Sequence, residues 1–223
     1  MDSVLNQDFL NWECIVVDGA SKDGTIGIVK EFVAKDPRFR YVSEPDKGIY
    51  DAFNKGWKLA KGEWIMYLGS DDEYTKGGIK ALMEHSDGAD VVYGDVILKF
   101  ENGKTKIQRA KKTDFWGTSG FCCHQAVAMQ KKVLIKLDGF DEKYKILADW
   151  NALRLAGQMG YIFNYVPNSI AYFFVGGASS NNYEVIFEGY RIYGKTNNFI
   201  KSFFKLLVEI SSKSLIQFRH KFN

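Results

Sequence analysis

The chain has 223 residues, 46% of them apolar and 26% charged, which is enough apolar chain for one domain with a sizeable core and is not the composition of a disordered segment. A formal net charge of +3 is too small to make nucleic acid the expected partner, and no apolar run approaches the roughly 18–20 residues that cross a bilayer. Cys14, Cys122 and Cys123 are odd in number and lack zinc-ligand spacing, which argues against a disulfide framework and a thiolate metal site and for reduced thiols in a cytosolic compartment.

In chain order, Ile15-Val16-Val17 reads as a buried strand that stops at Asp18, followed by the glycine-containing turn 19–25 and a helix over 26–33. A short strand near 39–42 leads through Ser43-Glu44-Pro45-Asp46-Lys47-Gly48 into a second helix over 49–59. Residues 63–68 form a strand with a polar stop, Gly69-Ser70-Asp71-Asp72, and 75–84 is helical. This alternation predicts an α/β fold, a mostly parallel central sheet flanked by helices, with ligands at the carboxyl ends of the strands where Asp18 and Asp71-Asp72 fall. Beyond Val91 the pattern changes. Segments 96–100 and 104–109 flank an Asn-Gly turn and read as a hairpin; 131–137 and 150–159 are short helices; 161–166 and 170–175 are aromatic-rich strands. The stretch 199–223 is a basic amphipathic helix, read either as packed on the domain or as a contact for an anionic membrane face.

The acidic pair Asp71-Asp72 at a strand end suits a hard divalent cation such as Mg²⁺ or Mn²⁺, which bridges phosphate oxygens while held by one or two carboxylates. Taken alone, the pair is explained as well by a helix start, where carboxylates cap or oppose the dipole. Gly-x-Gly-x-x-Gly and P-loop spacings do not occur, which argues against dinucleotide-dependent and P-loop enzymes.

Three segments occur in order: Asp18-Gly-Ala-Ser-Lys-Asp-Gly-Thr, Ser43-Glu-Pro-Asp-Lys-Gly-Ile-Tyr-Asp-Ala-Phe-Asn-Lys-Gly and Tyr67-Leu-Gly-Ser-Asp-Asp. Together they resemble the donor-binding half of family 2 glycosyltransferases with the GT-A fold, and the resemblance continues through Cys123-His124-Gln125, Gly139-Phe140-Asp141-Glu142 and Ala148-Asp149. It implies a GT-A domain over 1–198, with a donor-binding half, 1–98, and an acceptor half, 99–198. It also implies inverting, metal-dependent hexosyl transfer from a nucleotide diphosphate sugar, a UDP-sugar, to a saccharide or lipid-linked saccharide hydroxyl. Asp18, Asp46, Lys47, Asp51, Asn54 and Asp71 would border the donor, Asp72 would hold the metal, and Asp149 would be the base. His124, Gln125 and Trp150 would meet the acceptor or sugar, with Trp116 a further candidate for stacking and the 176–180 turn a segment near the site. Several departures stand out: Gly19 replaces a second acid common in relatives, Ala20 replaces a glycine, and Gly69 replaces an asparagine. The alternative readings are a turn residue for Asp18, a helix start for Asp46 and Lys47, an N-cap for Asp149, a structural histidine for His124 and core for Trp150. The resemblance further implies that the family's first strand is missing before Ser3-Val4-Leu5-Asn6-Gln7, with weakened donor binding as the expected consequence. The setting it implies is surface polysaccharide assembly at the cytosolic face of the plasma membrane. The alternative is a weak or inactive member that keeps the fold as a sugar-nucleotide or partner-binding module.

Overall fold

The computed structural model describes residues 1–111, 122–176 and 183–193. Helix α1, Asp2–Leu5, is tied down by Gln7, whose side-chain amide donates to the carbonyls of Ser3 and Thr75 and accepts the Ile79 N–H. Strand β1, Cys14–Asp18, is followed by helix α2, Thr25–Lys35, and strand β2, Phe39–Ser43, which pairs with β1 in parallel from Cys14↔Phe39 to Asp18↔Ser43. The Cys14 N–H donates to the Arg38 carbonyl and the Glu44 N–H to the Asp18 carbonyl. Alternate residues bond in a parallel ladder, so Cys14, Val16 and Asp18 face β2 while the backbone groups of Ile15 and Val17 point away from it. Helix α3, Ile49–Leu59, packs on β1. Its buried residues Tyr50, Asn54 and Trp57 recur at helical spacing and define its inner face.

The second sheet has six strands. Its path runs β3 (Trp64–Met66), β7 (Val127–Gln130), β5 (Val91–Lys99), β8 (Phe163–Phe174) and β4 (Glu73–Tyr74), with β6 (Thr105–Gln108) paired to β5. Only β1–β2 and β5–β8 are parallel; β3–β7, β5–β7, β4–β8 and β5–β6 are antiparallel. The α/β architecture is as expected, but the sheet is not mostly parallel. The alternation of strands and helices that predicts parallel pairing ends near residue 98, and of the later strands β6 and β7 join β5 by reversal.

Two expected elements also change. The helix expected over 75–84 is α4, Gly78–Glu84, because Glu73 and Tyr74 are held as a strand against Tyr172 and Ala171. The two aromatic strands expected around Pro167 are one strand, β8, whose register against β5 shifts at Gly94/Asp95 and Asp95/Val96. Pro167 lacks the N–H that a regular ladder needs, so the irregularity falls beside it. The Asn-Gly hairpin is present, with Gly103 at φ 77°.

Helices α5 (Lys131–Leu137), α6 (Ala148–Gln158) and α7 (Tyr183–Tyr193) complete the described elements. Alternation along the central strands sends Val91, Tyr93, Val127 and Met129 to a core with Trp57, Leu134 and Leu153, and Val92, Val96, Ala126 and Ala128 to the other with Phe39, Ile79 and Val166. Both faces of β5 are therefore covered. The 199–223 segment, Trp116 and residues 177–180 lie outside the described residues. Among the described residues, no helix is long and apolar enough to cross a membrane.

Candidate active site

The turn after β1 is braced by Asp18. Its Oδ2 accepts the Ser21 N–H at 3.0 Å and the Ser43 hydroxyl at 2.7 Å, bonds that hold the carboxyl below its ordinary value. Asp18 is 6% exposed, so the turn role is what its hydrogen bonds express. Ala20 in this turn sits in left-handed backbone at φ 62°, where glycine is the unstrained choice. A Cβ at Gly19 would lie 2.5 Å from Asp46 Oδ2, so a second acid here would require the exposed Asp46 side chain to shift.

The loop from 44 to 48 is closed by its own carboxylates. Asp46 Oδ1 accepts the Gly48 N–H, and Asp51 Oδ2 accepts the Lys47 N–H, both at 2.9 Å; Asp51 also pairs with Lys55 at 3.4 Å. Asp46 and Lys47 remain exposed beside the Asp18 turn. Asn54, expected at the donor, is instead a core tie. Its Nδ2 donates to the Phe140 carbonyl at 2.9 Å and to Glu142 Oε1 at 3.1 Å, and its Oδ1 accepts the Phe140 N–H and Trp57 Nε1–H. That uses the amide's full capacity, leaving nothing for a nucleotide.

At the end of β3 the two acids diverge. Asp71 is exposed and Asp72 is 6% exposed. Asp72 Oδ2 accepts Gln125 Nε2–H at 2.7 Å and Oδ1 accepts the Phe174 N–H at 3.0 Å. Burial raises the Asp72 pKa, with those two bonds opposing it. A Cβ at Gly69 would fall 2.7 Å from Asp72 Oδ2, so a side chain here would require the Asp72 carboxylate to shift.

Asp149 lies in the first turn of α6, but the backbone N–H groups just before the helix are bound by another residue. Glu188 of α7 accepts the N–H groups of Ile146 and Leu147 at 3.0 and 2.9 Å, and that of Lys145 as well. Asp149 keeps one bond to a first-turn N–H, that of Trp150, and turns the rest of its carboxylate to side chains. Its Oδ1 accepts the Tyr50 hydroxyl at 2.8 Å and the Trp150 N–H at 2.7 Å, and its Oδ2 accepts His124 Nδ1–H at 2.9 Å. Burial pushes its pKa up, and the His124 contact, the Tyr50 hydroxyl and the Trp150 N–H outweigh it, holding the carboxyl below its ordinary value. Burial raises the Tyr50 hydroxyl far above its usual range, which keeps it a donor. Tyr50 and Glu188, neither singled out from sequence for the site, are thus part of its framework. Tyr50 lay inside a quoted motif, whereas Glu188 gave no local signal.

His124 and Gln125 are consecutive, and each bonds a different carboxylate, Asp149 and Asp72. The acids expected to act at the donor and at the acceptor are therefore tied to consecutive residues of the 3-10 turn His124–Ala126. Gln125, 3% exposed, is committed to Asp72 rather than to an acceptor. Trp150 is 9% exposed and belongs to the core, so it is not a stacking platform for a sugar. Among the described residues no three His, Cys, Asp or Glu side chains converge on a cation site. What the protein offers is the Asp71-Asp72 pair, and that number of carboxylates fits a Mg²⁺-like ion whose remaining ligands are water and substrate phosphate. The three cysteines are free.

The sequence profile described as Glycosyl transferase family 2 matches residues 1–139. The chain belongs to that family. It is 29% identical over 187 residues to a PGL/p-HBAD biosynthesis glycosyltransferase of Mycobacterium tuberculosis, covering 81% of this chain and 72% of the relative. It is 32% identical over 107 residues to GalNAc(5)-diNAcBac-PP-undecaprenol beta-1,3-glucosyltransferase of Campylobacter jejuni, covering 47% of this chain and 35% of the relative. In fold it is similar to S. aureus TarS 1-349 in complex with UDP-GlcNAc, with TM-score 0.64, 20% identity and coverage of 95% of this chain and 66% of that one. It is likewise similar to mannosyltransferase PcManGT of Pyrobaculum calidifontis in complex with GDP-Man and Mn²⁺, with TM-score 0.67, 18% identity and coverage of 87% and 58%. The chain thus spans less than two thirds of each of those solved chains, and the GT-A-like fold is what these similarities establish.

Proposed function

We propose that this family 2 member catalyses inverting transfer of a sugar from a nucleotide diphosphate sugar, a UDP-sugar, to the hydroxyl of a saccharide or lipid-linked saccharide. The observation that supports the reading is the His124-Gln125 bridge, in which consecutive residues bond Asp149 and Asp72. The acceptor oxygen attacks the anomeric carbon while the bond from that carbon to the diphosphate oxygen breaks, and the departing nucleoside diphosphate keeps the electron pair. The hydroxyl proton passes to Asp149. Three donors already bind its carboxylate, leaving one lone pair on Oδ2 for that proton. Asp72 would hold the divalent cation, Mg²⁺ or Mn²⁺, which when bound neutralises charge on the leaving diphosphate, and Asp71 would help place the donor. Asp46 and Lys47 line the donor side, with Asp18 and Asp51 shaping the loops behind them. The solved relatives' UDP-GlcNAc and GDP-Man with Mn²⁺ support the donor class, and the undecaprenol-linked product named for the Campylobacter relative supports the acceptor class. Work at the inner face of the plasma membrane, with the 199–223 segment as peripheral contact, accords with such an acceptor.

The test is a panel of nucleotide sugars with Mn²⁺, scoring release of nucleoside diphosphate. Asp149→Asn should lower kcat by about 10²–10⁴-fold, the usual worth of a positioned base. Asp72→Ala should remove the response to added cation. Turnover surviving in either variant overturns that residue's role, and binding without turnover in the parent chain would favour the sugar-nucleotide binding module.

A further inference from the structure

The Asp149 carboxylate has four lone pairs, and its three bonds are unevenly shared. Oδ1 is saturated by Tyr50 and Trp150, so the open lone pair lies on Oδ2, the oxygen that His124 also touches. Nδ1 faces a carboxylate oxygen at 2.9 Å and therefore carries a proton. Nε2 is buried with no hydrogen-bond partner among the described residues, so a proton there would have no acceptor. The ring is held by packing, with Phe53 edge-on at 5.5 Å. Phe53 in turn stacks on Tyr67 at 4.1 Å and meets Phe140 edge-on at 5.6 Å. An imidazole fixed in plane and in tautomer, giving its one proton to the reactive oxygen, aims that oxygen.

We propose that His124 is a positioning residue for Asp149 and not a contact for the acceptor: its Nδ1–H fixes Oδ2 and turns the remaining lone pair toward the crevice. This rests on the reading of Asp149 as base. The inference goes beyond that reading by assigning which oxygen receives the proton and what holds it. The neighbouring Gln125 does the same for Asp72, so two successive residues of one 3-10 turn set the spacing between the donor-side and acceptor-side acids.

Removing the Nδ1–H also takes away a donor that favours the ionised carboxylate, so the acid limb of the kcat–pH profile should move to higher pH. The titratable groups facing Asp149 or its contacts are Tyr50, His124, Cys122, Cys123, Asp72 and Glu188. Burial lifts the Tyr50 hydroxyl and the Cys122 thiol well above their ordinary ranges and the Cys123 thiol up to about 12, so none of these three makes an acid limb.

The experiment compares His124→Asn with His124→Phe and His124→Gln in the full chain, with Mn²⁺ and the best donor of the panel. The Asn amide nitrogen reaches close to the place of Nδ1 and keeps the donor, Phe keeps the ring without it, and Gln keeps an amide that reaches past it. Expected are a roughly 10–100-fold fall in kcat for Phe and Gln, a part of what the base itself contributes. The acceptor KM should be unchanged, the acid limb displaced to higher pH, and both kcat and limb largely restored in Asn. Gln stands in for Phe if Phe does not fold. A raised acceptor KM with unchanged kcat would make His124 an acceptor contact and overturn the proposal. Equal losses in all folded variants with an unmoved limb would overturn it as well, leaving a packing role. If instead Asp149→Asn stays active, the reading of the base has failed; if Asp149→Asn is dead and the His124 variants match the parent chain, only the present inference has.

Discussion

Asp72 and Asp149 bond consecutive residues of one 3-10 turn, yet the fold treats their charge in opposite ways. Around Asp149 three donors stabilise the carboxylate, and its pKa falls below the ordinary value. Such a group adds stability above the unfolded carboxylate pKa of about 3.9, and that stability is lost as pH falls through the lower folded value. Around Asp72 burial dominates two hydrogen bonds and the pKa rises. Its contribution has the reverse sign: it is fully present below about 3.9 and lost as pH climbs through the raised folded value, where the buried group must ionise. Asp72→Asn removes that ionisation and retains an oxygen for the Phe174 N–H, while Gln125 can present its own oxygen to the new amide after a flip. The variant should therefore melt higher than the parent chain at pH 7 and no higher at pH 3.5, although it loses turnover. Melting temperatures across pH 3.5–8 decide this, and a variant less stable than the parent at neutral pH would contradict it.

At the scale of elements, α7 matters because one of its side chains terminates another helix. Glu188 is 5% exposed and gathers the N–H groups of residues 145–147, so the start of α6, and with it Asp149, is set by a helix some forty residues downstream. Glu188→Ala should lower stability by about 3 kcal/mol, the worth of one or two charge-assisted hydrogen bonds beyond what water restores. It should also cut kcat more than KM by letting Asp149 drift; a variant with parent stability would show that the turn holds itself. This contact also marks the limit of what could be read from sequence. The spans of α3 and α5 were legible to the residue and β1 nearly so, because apolar spacing and bounding glycines are local signals. The motifs that hold Asp71, Asp72 and Asp149 were legible as a family resemblance because they occur in a fixed order. The four-residue β7 and two-residue β4 are too short for any period, and the antiparallel order follows from pairings between distant segments. Asn54 and Trp150 sit in the same motifs as functional residues, and only their hydrogen bonds or burial separate scaffold from site.

For the whole molecule, the arrangement of the two sheets predicts where a ligand will be felt. β1 and β2 form a sheet of their own, not hydrogen-bonded to the six-stranded one. The described coupling between them is by side chains and by α3, which packs on β1 while its Tyr50 and Trp57 enter the core of the larger sheet. The donor-side loops, 19–25 and 44–48, hang from the two-stranded sheet, whereas Asp72, His124 and Asp149 belong to the larger one. A nucleotide diphosphate spanning Asp46, Lys47 and a cation on Asp71-Asp72 would clamp the two together. Ligand at 100 times its Kd adds about 2.7 kcal/mol to stability, and that gain should be concentrated where the unliganded fold is least tied. Hydrogen exchange with UDP and Mn²⁺ should therefore slow most at the β1 and β2 amides and least in β5 and β8, whose faces are already covered. Chelating the cation with EDTA should reverse most of the effect, because the diphosphate then meets two uncompensated carboxylates instead of a bridged charge. Protection confined to β5 and β8, or unchanged on chelation, would show that the nucleotide does not sit across the two sheets.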